Sequence, residues 1–286
     1  MEEKILLKLQ RNEITEHNIY KILSKGLKDK KNREILLKIS QDEFAHYNVL
    51  RKITQKDLNP NKFKLYLYLF LTKIFGFTFV LKLMEKGEDK AIESYRKIIN
   101  KYPQINEILD DEKEHEQKLL NTLDEERLNY IGSMVLGLSD ALVELTGTLA
   151  GLTFAFQNTK LISISGLITG ISAALSMAGS EYLSSKAESS ERNPLKSAIT
   201  TGITYIMTVL ILILPYLITQ NYILALILTL LFAVILVVIF NFYISVAKDY
   251  EFNKRFLEMT IIIFSVSFIS FLIGVFVKKV LGINID

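Results

Sequence analysis

From Ser197 to Ala247 the chain runs for 51 residues without one Asp, Glu, Lys or Arg. A helix that crosses a bilayer needs about 20 apolar residues. The run therefore predicts two spans, with Thr219-Gln220-Asn221 as the polar turn between them. A third span fits Phe256 to Val277, with Glu258 near its start. Two more fit upstream, separated by Gln157-Asn158-Thr159-Lys160. The reading is five spans, at about 131–157, 161–185, 197–218, 222–247 and 256–277.

The rest of the chain has another character. Residues 1–130 hold 25 of the 34 Lys and Arg and 22 of the 31 Asp and Glu. The whole is half hydrophobic with a mean hydropathy of +0.26, too apolar for a soluble protein and too charged for a pure membrane bundle. Two domains resolve the conflict, expected at 1–128 and 129–286. There is no cysteine, which excludes disulfides and thiolate metal sites and leaves carboxylate, imidazole and thioether as metal donors. The net charge of +3 and the lack of a basic stripe with interleaved aromatics exclude a nucleic-acid partner.

Orientation follows from basic loops. Lys186 to Lys196 and Lys248 to Arg255 each carry three basic residues and fall on one side of the membrane together with the N-terminal half. Met1 to Gln10 is charged and amphipathic, without the apolar core of a signal peptide. The expectation is a multi-pass cell-membrane protein with the N-terminal domain cytoplasmic and the C-terminus outside.

The first two spans carry the chemistry. Asp140 and Glu144 are four apart and share one side of the first span. Met177 and Glu181 repeat that spacing on the second, with Glu181 near the inner end and Met177 expected at a depth similar to Asp140. A carboxylate in a span is costly unless it pairs, protonates or lines a wet path. Oxygen donors with one thioether suit a borderline divalent ion such as Fe²⁺. Gly147-x-x-x-Gly151 and Gly166-x-x-x-Gly170 are read as helix-packing faces.

The segments Gly137-Leu-Ser-Asp140-Ala-Leu and Ser176-Met177-Ala-Gly-Ser-Glu181-Tyr182-Leu resemble the vacuolar iron transporter family. That resemblance implies five spans, a homodimer, transport of Fe²⁺ or Mn²⁺ in exchange for protons, Asp140 and Met177 in the pathway and Glu181 at its inner mouth. Ala141 and Ser180 stand where the family usually has glycine, and the long metal-binding loop of plant-type members is reduced here to about Lys186 to Lys196.

In the soluble half, two of only three histidines fall in Glu-x-x-His pairs, Glu43-Phe-Ala-His46 and Glu112-Lys-Glu-His115. On a helix this spacing points both donors to one face. Apolar periodicity gives four helices, through Ile14 to Leu23, Ile35 to Leu50, Phe79 to Tyr95 and Ile105 to Leu123. The two pairs then sit on the second and fourth, with Glu13 and Glu16 available on the first and Glu85 and Glu88 on the third. Glu16 and His17 are read as part of a solvated face. Phe63 to Met84 is strongly apolar but carries Lys64, Lys73 and Lys82, and is read as a surface or interface helix leading into the third bundle helix.

Glu13 with Tyr20, Glu43 with His46, Glu85 with Glu88, and Glu112 with His115 resemble, in order, the motif of rubrerythrin's ferritin-like domain. The resemblance implies a di-iron or mixed iron–manganese centre held by Glu13, Glu43, His46, Glu85, Glu88, Glu112 and His115, with Glu43 and Glu112 bridging. The fused order is similar to the erythrin–vacuolar iron transport proteins. The expected fold is all-α, an N-terminal ferritin-like four-helix bundle followed by a five-helix transmembrane domain. The expected function is export of a divalent metal that the bundle captures or senses. The alternative is a membrane-anchored di-iron oxidase or peroxidase whose spans are mainly an anchor.

Overall fold

The computed structural model describes residues 2–27, 29–122, 130–188, 192–248 and 250–281. The boundary expected at 128/129 lies outside them, as does Leu123. The chain divides into two compact units, Met1–Asp124 and Glu125–Asp286. Ten helices and no strand occur among the described residues.

The first unit contains α1 (Glu2–Gly26), α2 (Lys30–Thr54), α3 (Lys62–Phe75), α4 (Phe77–Arg96) and α5 (Ile105–Thr122). Asp29 starts α2 by accepting from the Asn32 backbone N–H, and Gln55 ends it in the left-handed conformation. Asn61 starts α3 in the same way. Four helices close a ring in which α1 packs on α2 and α4, and α5 packs on α2 and α4. One end of the ring is sealed by Leu6, Leu9, Leu50, Tyr95, Ile98, Ile105 and Ile108. Burying each of these side chains contributes about 1.5–3 kcal/mol. The dry plug leaves the middle of the bundle for polar groups.

The apolar stretch from Phe63 to Met84 is two helices. Gly76 adopts φ 89° and ψ 173°, a conformation open to glycine and strained for other residues, and it separates α3 from α4. Phe79, Val80, Leu81 and Met84 of α4 are buried in the bundle, whereas α3 buries no residue.

The second unit contains α6 (Ile131–Phe156), α7 (Thr159–Ala187), α8 (Pro194–Ile218), α9 (Tyr222–Ala247) and α10 (Phe252–Leu281). All five are long and apolar enough to cross a membrane. Asn158, Asn193 and Asn221 cap α7, α8 and α9, each accepting from two backbone N–H groups. These asparagines set the short turns that fold the spans back on one another. The central helix α6 packs against α7, α8, α9 and α10.

Packing, with few hydrophobic driving forces in lipid, holds such spans together. The Cβ-free backbones of Gly151 on α6 and Gly274 on α10 lie so close that a Cβ on Gly274 would collide with the Gly151 carbonyl. Gly147 faces Val266 and Ser270 on α10, and Gly166 and Gly170 face Leu149 and Val209, which fits the packing reading of both small-residue pairs. Gly274→Leu is expected to force α6 and α10 apart. Over-packing costs about 1–3 kcal/mol in ordinary cores, and a backbone collision places this site at the upper end. A thermal melt of the detergent-solubilised protein should show a large fall in midpoint, with Leu272→Ala, half exposed on the same helix, as the mild control.

Candidate metal centre

Each helix of the ring delivers one part of a buried polar cluster. The apolar phase of α1, set by Leu6, Leu9 and Ile19, also buries Glu13. Leu36, Ile39 and Leu50 bury Glu43 and His46 on α2, Met84 and Tyr95 bury Glu88 on α4, and Ile105 and Ile108 bury Glu112 and His115 on α5. All six side chains are at most 5% exposed.

Donor atoms from Glu13, Glu43, His46 and Glu112 lie within 4.8 Å of one another. His46 Nδ1 is 3.3 Å from Glu112 Oε1, 3.5 Å from Glu13 Oε2 and 3.7 Å from Glu43 Oε2. His115 Nδ1 is 3.4 Å from Glu43 Oε1 and 3.9 Å from Glu112 Oε2. Glu43 and Glu112 thus face both histidines, one oxygen toward each. Glu88 adds a further buried carboxylate, under the electrostatic influence of Glu112, Glu16 and His115.

A metal fits this set. Glu13 Oε2, both oxygens of Glu43, Glu112 Oε2, His46 Nδ1 and His115 Nδ1 are fully buried and make no hydrogen bond. Buried polar atoms rarely go unpaired. Six orphans in one cluster, all oxygen or nitrogen and all converging, are what a cation would satisfy. Glu13, Glu43, His46, Glu88, Glu112 and His115 are the residues that would hold it, and a hard or borderline divalent metal suits those donors.

The outer atoms of the cluster are all engaged. His46 Nε2 is 3.2 Å from Asp111 Oδ2, and His115 Nε2 is 3.1 Å from Asp42 Oδ2. A carboxylate accepts, so each Nε2 carries a proton and each Nδ1 is left to face the cluster. Tyr20 OH donates to Glu88 at 2.8 Å, and Tyr95 OH donates to Glu13. The arrangement is reciprocal, because α1 supplies Tyr20 to the glutamate on α4 and α4 supplies Tyr95 to the glutamate on α1. Asp42, Asp111 and Tyr95 had no role assigned from the sequence. Their signal is a repeat. Asp precedes both Glu-x-x-His pairs, and Glu88 stands seven residues before Tyr95 as Glu13 stands seven before Tyr20. Outer-sphere partners of this kind carry about 10–100-fold in metal affinity. Asp42→Asn or Asp111→Asn is expected to weaken Fe²⁺ or Mn²⁺ binding by that factor in a competition titration, with the fold unchanged.

Two sequence expectations change. Glu16 is buried, not solvated, and its Oε1 is 2.7 Å from Lys64 Nζ on α3. Its neighbour His17 is half-buried with Nδ1 2.6 Å from the Ser40 carbonyl. On α4, Glu88 is buried and Glu85 half-buried.

Charge crowding sets the protonation. Burial, reinforced by the Glu13 carboxylate, pushes Glu43 well above the usual carboxylate range. Burial and Glu43 raise Glu112 to about 8, and burial and Glu112 raise Glu88. Burial raises Glu13 as well, but its polar neighbours, His46 foremost, outweigh that and hold it below the usual carboxylate range. Metal binding displaces protons from such groups. Below about 8 Glu112 is protonated in the metal-free bundle, so binding there releases a proton and affinity climbs as pH rises toward that value. Without metal the linkage runs in the opposite sense. A folded pKa of about 8 against 4.5 for the free side chain stabilises the metal-free bundle fully below 4.5 and loses that contribution as pH rises through 8. Calorimetry at neutral pH in two buffers of different ionisation enthalpy should detect the released proton.

In the second unit Glu181 Oε1 accepts from Ser133 Oγ of α6 at 2.7 Å. That bond fixes the register of α6 against α7. Counting outward at 1.5 Å per residue along antiparallel helices, Met177 falls level with Gly137. Glu181, Met177, Asp140 and Glu144 are then successive rungs about 6, 4.5 and 6 Å apart in depth. Met177 and Asp140 are therefore staggered, not level. Glu144 Oε2 accepts from Tyr205 OH of α8 at 2.7 Å. Asp140, Met177 and Glu181 are half-buried, and Glu144 is exposed.

Residues 4–123 match the family model described as Rubrerythrin, and residues 131–193 match that described as VIT family. The chain is thus similar to rubrerythrin in its first unit and to the VIT family in its second, each over less than half of its length. The VIT-family match spans α6, α7 and all four rungs, and the rubrerythrin match spans all six cluster residues. No curated protein is significantly similar to the chain. The five membrane helices and the VIT-family match support a multi-pass membrane metal transporter with a rubrerythrin-like N-terminal domain, in which buried Glu13, Glu43, His46 and Glu112 bring metal-donor atoms together.

Proposed function

We propose that the protein exports Fe²⁺, or Mn²⁺, from the cytoplasm as a homodimer, and that the N-terminal bundle holds a di-iron or mixed iron–manganese centre that captures or senses the ion. The observation that carries this reading is the series of rungs on α6 and α7. An anchor has no use for Asp140, Met177 and Glu144 at staggered depths, and an ionised group at the centre of a span costs about 2.5–3.5 kcal/mol. A divalent ion stepping between carboxylates, with one thioether among them, gives those groups a reason to be there.

The same helices support the dimer. Glu144 is exposed on α6, and α7 leaves Ile164, Ile168, Ile171 and Leu175 exposed. A second copy across this face would shield the carboxylates from lipid and enclose the pathway between two subunits. The transport domain has only a short connection, about Lys186 to Lys196, between its second and third spans. The bundle is the candidate for the capture role, with its N-terminal side in the cytoplasm.

A second reading draws on the tyrosines and paired histidines of the bundle. It takes the protein as a membrane-anchored oxidase or peroxidase, for which bound metal would supply the redox chemistry. Sided proteoliposomes separate the two. Saturable Fe²⁺ or Mn²⁺ movement from the bundle side supports export, whereas oxygen or peroxide consumption without metal flux supports the enzyme.

A further inference from the structure

α3 presents one face to α1 and leaves another bare. Phe63, Tyr66, Leu67, Phe70 and Ile74 are 77, 67, 39, 59 and 53% exposed. At 3.6 residues per turn they fall within an arc of about 100°, a continuous stripe along the whole helix. A stripe of that size in water marks an interaction surface. Lys62 and Lys73 run along one edge of it, and no Asp or Glu occurs between Asp57 and Glu85.

These features select a lipid surface as the occupant. Large aromatic and aliphatic residues bordered by lysine are the composition of helices that lie in the headgroup region. The bilayer is always at hand, because the same chain carries five spanning helices. At 14 residues α3 is about 21 Å long and cannot cross a hydrocarbon core of about 30 Å. A second copy of the stripe is a poor partner, since pairing it with itself would bring lysines together with no acidic residue on the helix to neutralise them.

We infer that α3 lies flat on an anionic leaflet, with Phe63, Tyr66, Leu67, Phe70 and Ile74 in the acyl boundary and Lys62 and Lys73 on lipid phosphates. Lys64, a quarter-turn away, points instead to Glu16, one helical turn from Glu13 of the metal cluster. One helix thus touches lipid and supplies the cation beside the metal carboxylates. The inference rests on the membrane location of the chain and stands apart from the transport reading.

The chain has no tryptophan, so Phe70→Trp in the full-length protein gives a single emitting site. It is reconstituted into phosphatidylcholine–phosphatidylglycerol vesicles. Expected are blue-shifted emission, loss of most intensity when the acyl chains are brominated, and little quenching by acrylamide. Adding Lys62→Glu and Lys73→Glu should restore much of the intensity and acrylamide access. Phe44→Trp on α2, a position 44% exposed, should respond to acrylamide alone. Acrylamide quenching of Phe70→Trp without a bromine effect overturns the inference. So does emission sensitive to neither quencher, which would mean burial against protein, and so does equal bromine quenching at both positions.

Discussion

Glu43→Ala combined with Glu112→Ala is expected to strip the purified protein of its tightly held metal. Each of these carboxylates faces both histidines of the cluster, so losing the pair removes donors from both halves of the site at once. What remains, Glu13 with His46 and Glu88 with His115, is two donors on each side. Metal analysis of the purified variant beside wild type reads the loss directly. A second consequence separates this from simple unfolding. Glu43 and Glu112 are buried against other carboxylates and held largely protonated, an arrangement that favours metal over stability. The metal-free variant should therefore melt no lower than metal-free wild type. Wild type alone should gain on adding metal, by about 2.7 kcal/mol at a concentration 100-fold above the dissociation constant.

Asp140→Ala is expected to cut metal flux through reconstituted protein by at least about tenfold, equivalent to about 1.4 kcal/mol on the barrier. Asp140 is the rung between Met177 and Glu144. Without it an ion must travel about 10 Å in depth from a thioether to the next carboxylate, inside a medium that solvates no ion. Removing a half-buried carboxylate from a span should not harm folding, because the residue has a desolvation cost of its own. Comparable flux in the variant and wild type would take Asp140 out of the pathway. A variant that expresses, inserts and binds metal in the bundle but moves none is the expected phenotype.

Much of this site is legible in the sequence because two periodicities mark it. The spans show as uncharged runs, and the ion ligands show as carboxylate and histidine at helical spacing inside apolar phases. What escapes is what depends on a partner helix. Asp42 and Asp111 each orient a histidine on the other's helix, a crossed pairing that i,i+3 reasoning within one helix does not reveal. Glu16 reads as solvated because it is charged, yet Lys64, 48 residues further on, reaches and covers it. Glu85 and Glu88 are a single turn apart, and the burial phase of Val80, Met84 and Tyr95 takes in Glu88. One glycine divides an apolar run that looks continuous, and so converts a single lengthened helix into a bundle helix and the exposed α3. The stagger of Met177 and Asp140 likewise waits on one contact, Ser133 to Glu181, that sets the register of two spans.

If bundle and spans form one route for the metal, Fe²⁺ flux in proteoliposomes with the bundle facing the metal separates wild type from the Glu43→Ala, Glu112→Ala variant across metal concentrations. A steep loss of flux is expected at limiting Fe²⁺, with recovery toward wild type when Fe²⁺ saturates the spans directly. Identical flux for the two proteins at limiting Fe²⁺ would contradict it, and would leave the bundle and the membrane domain as independent devices on one chain.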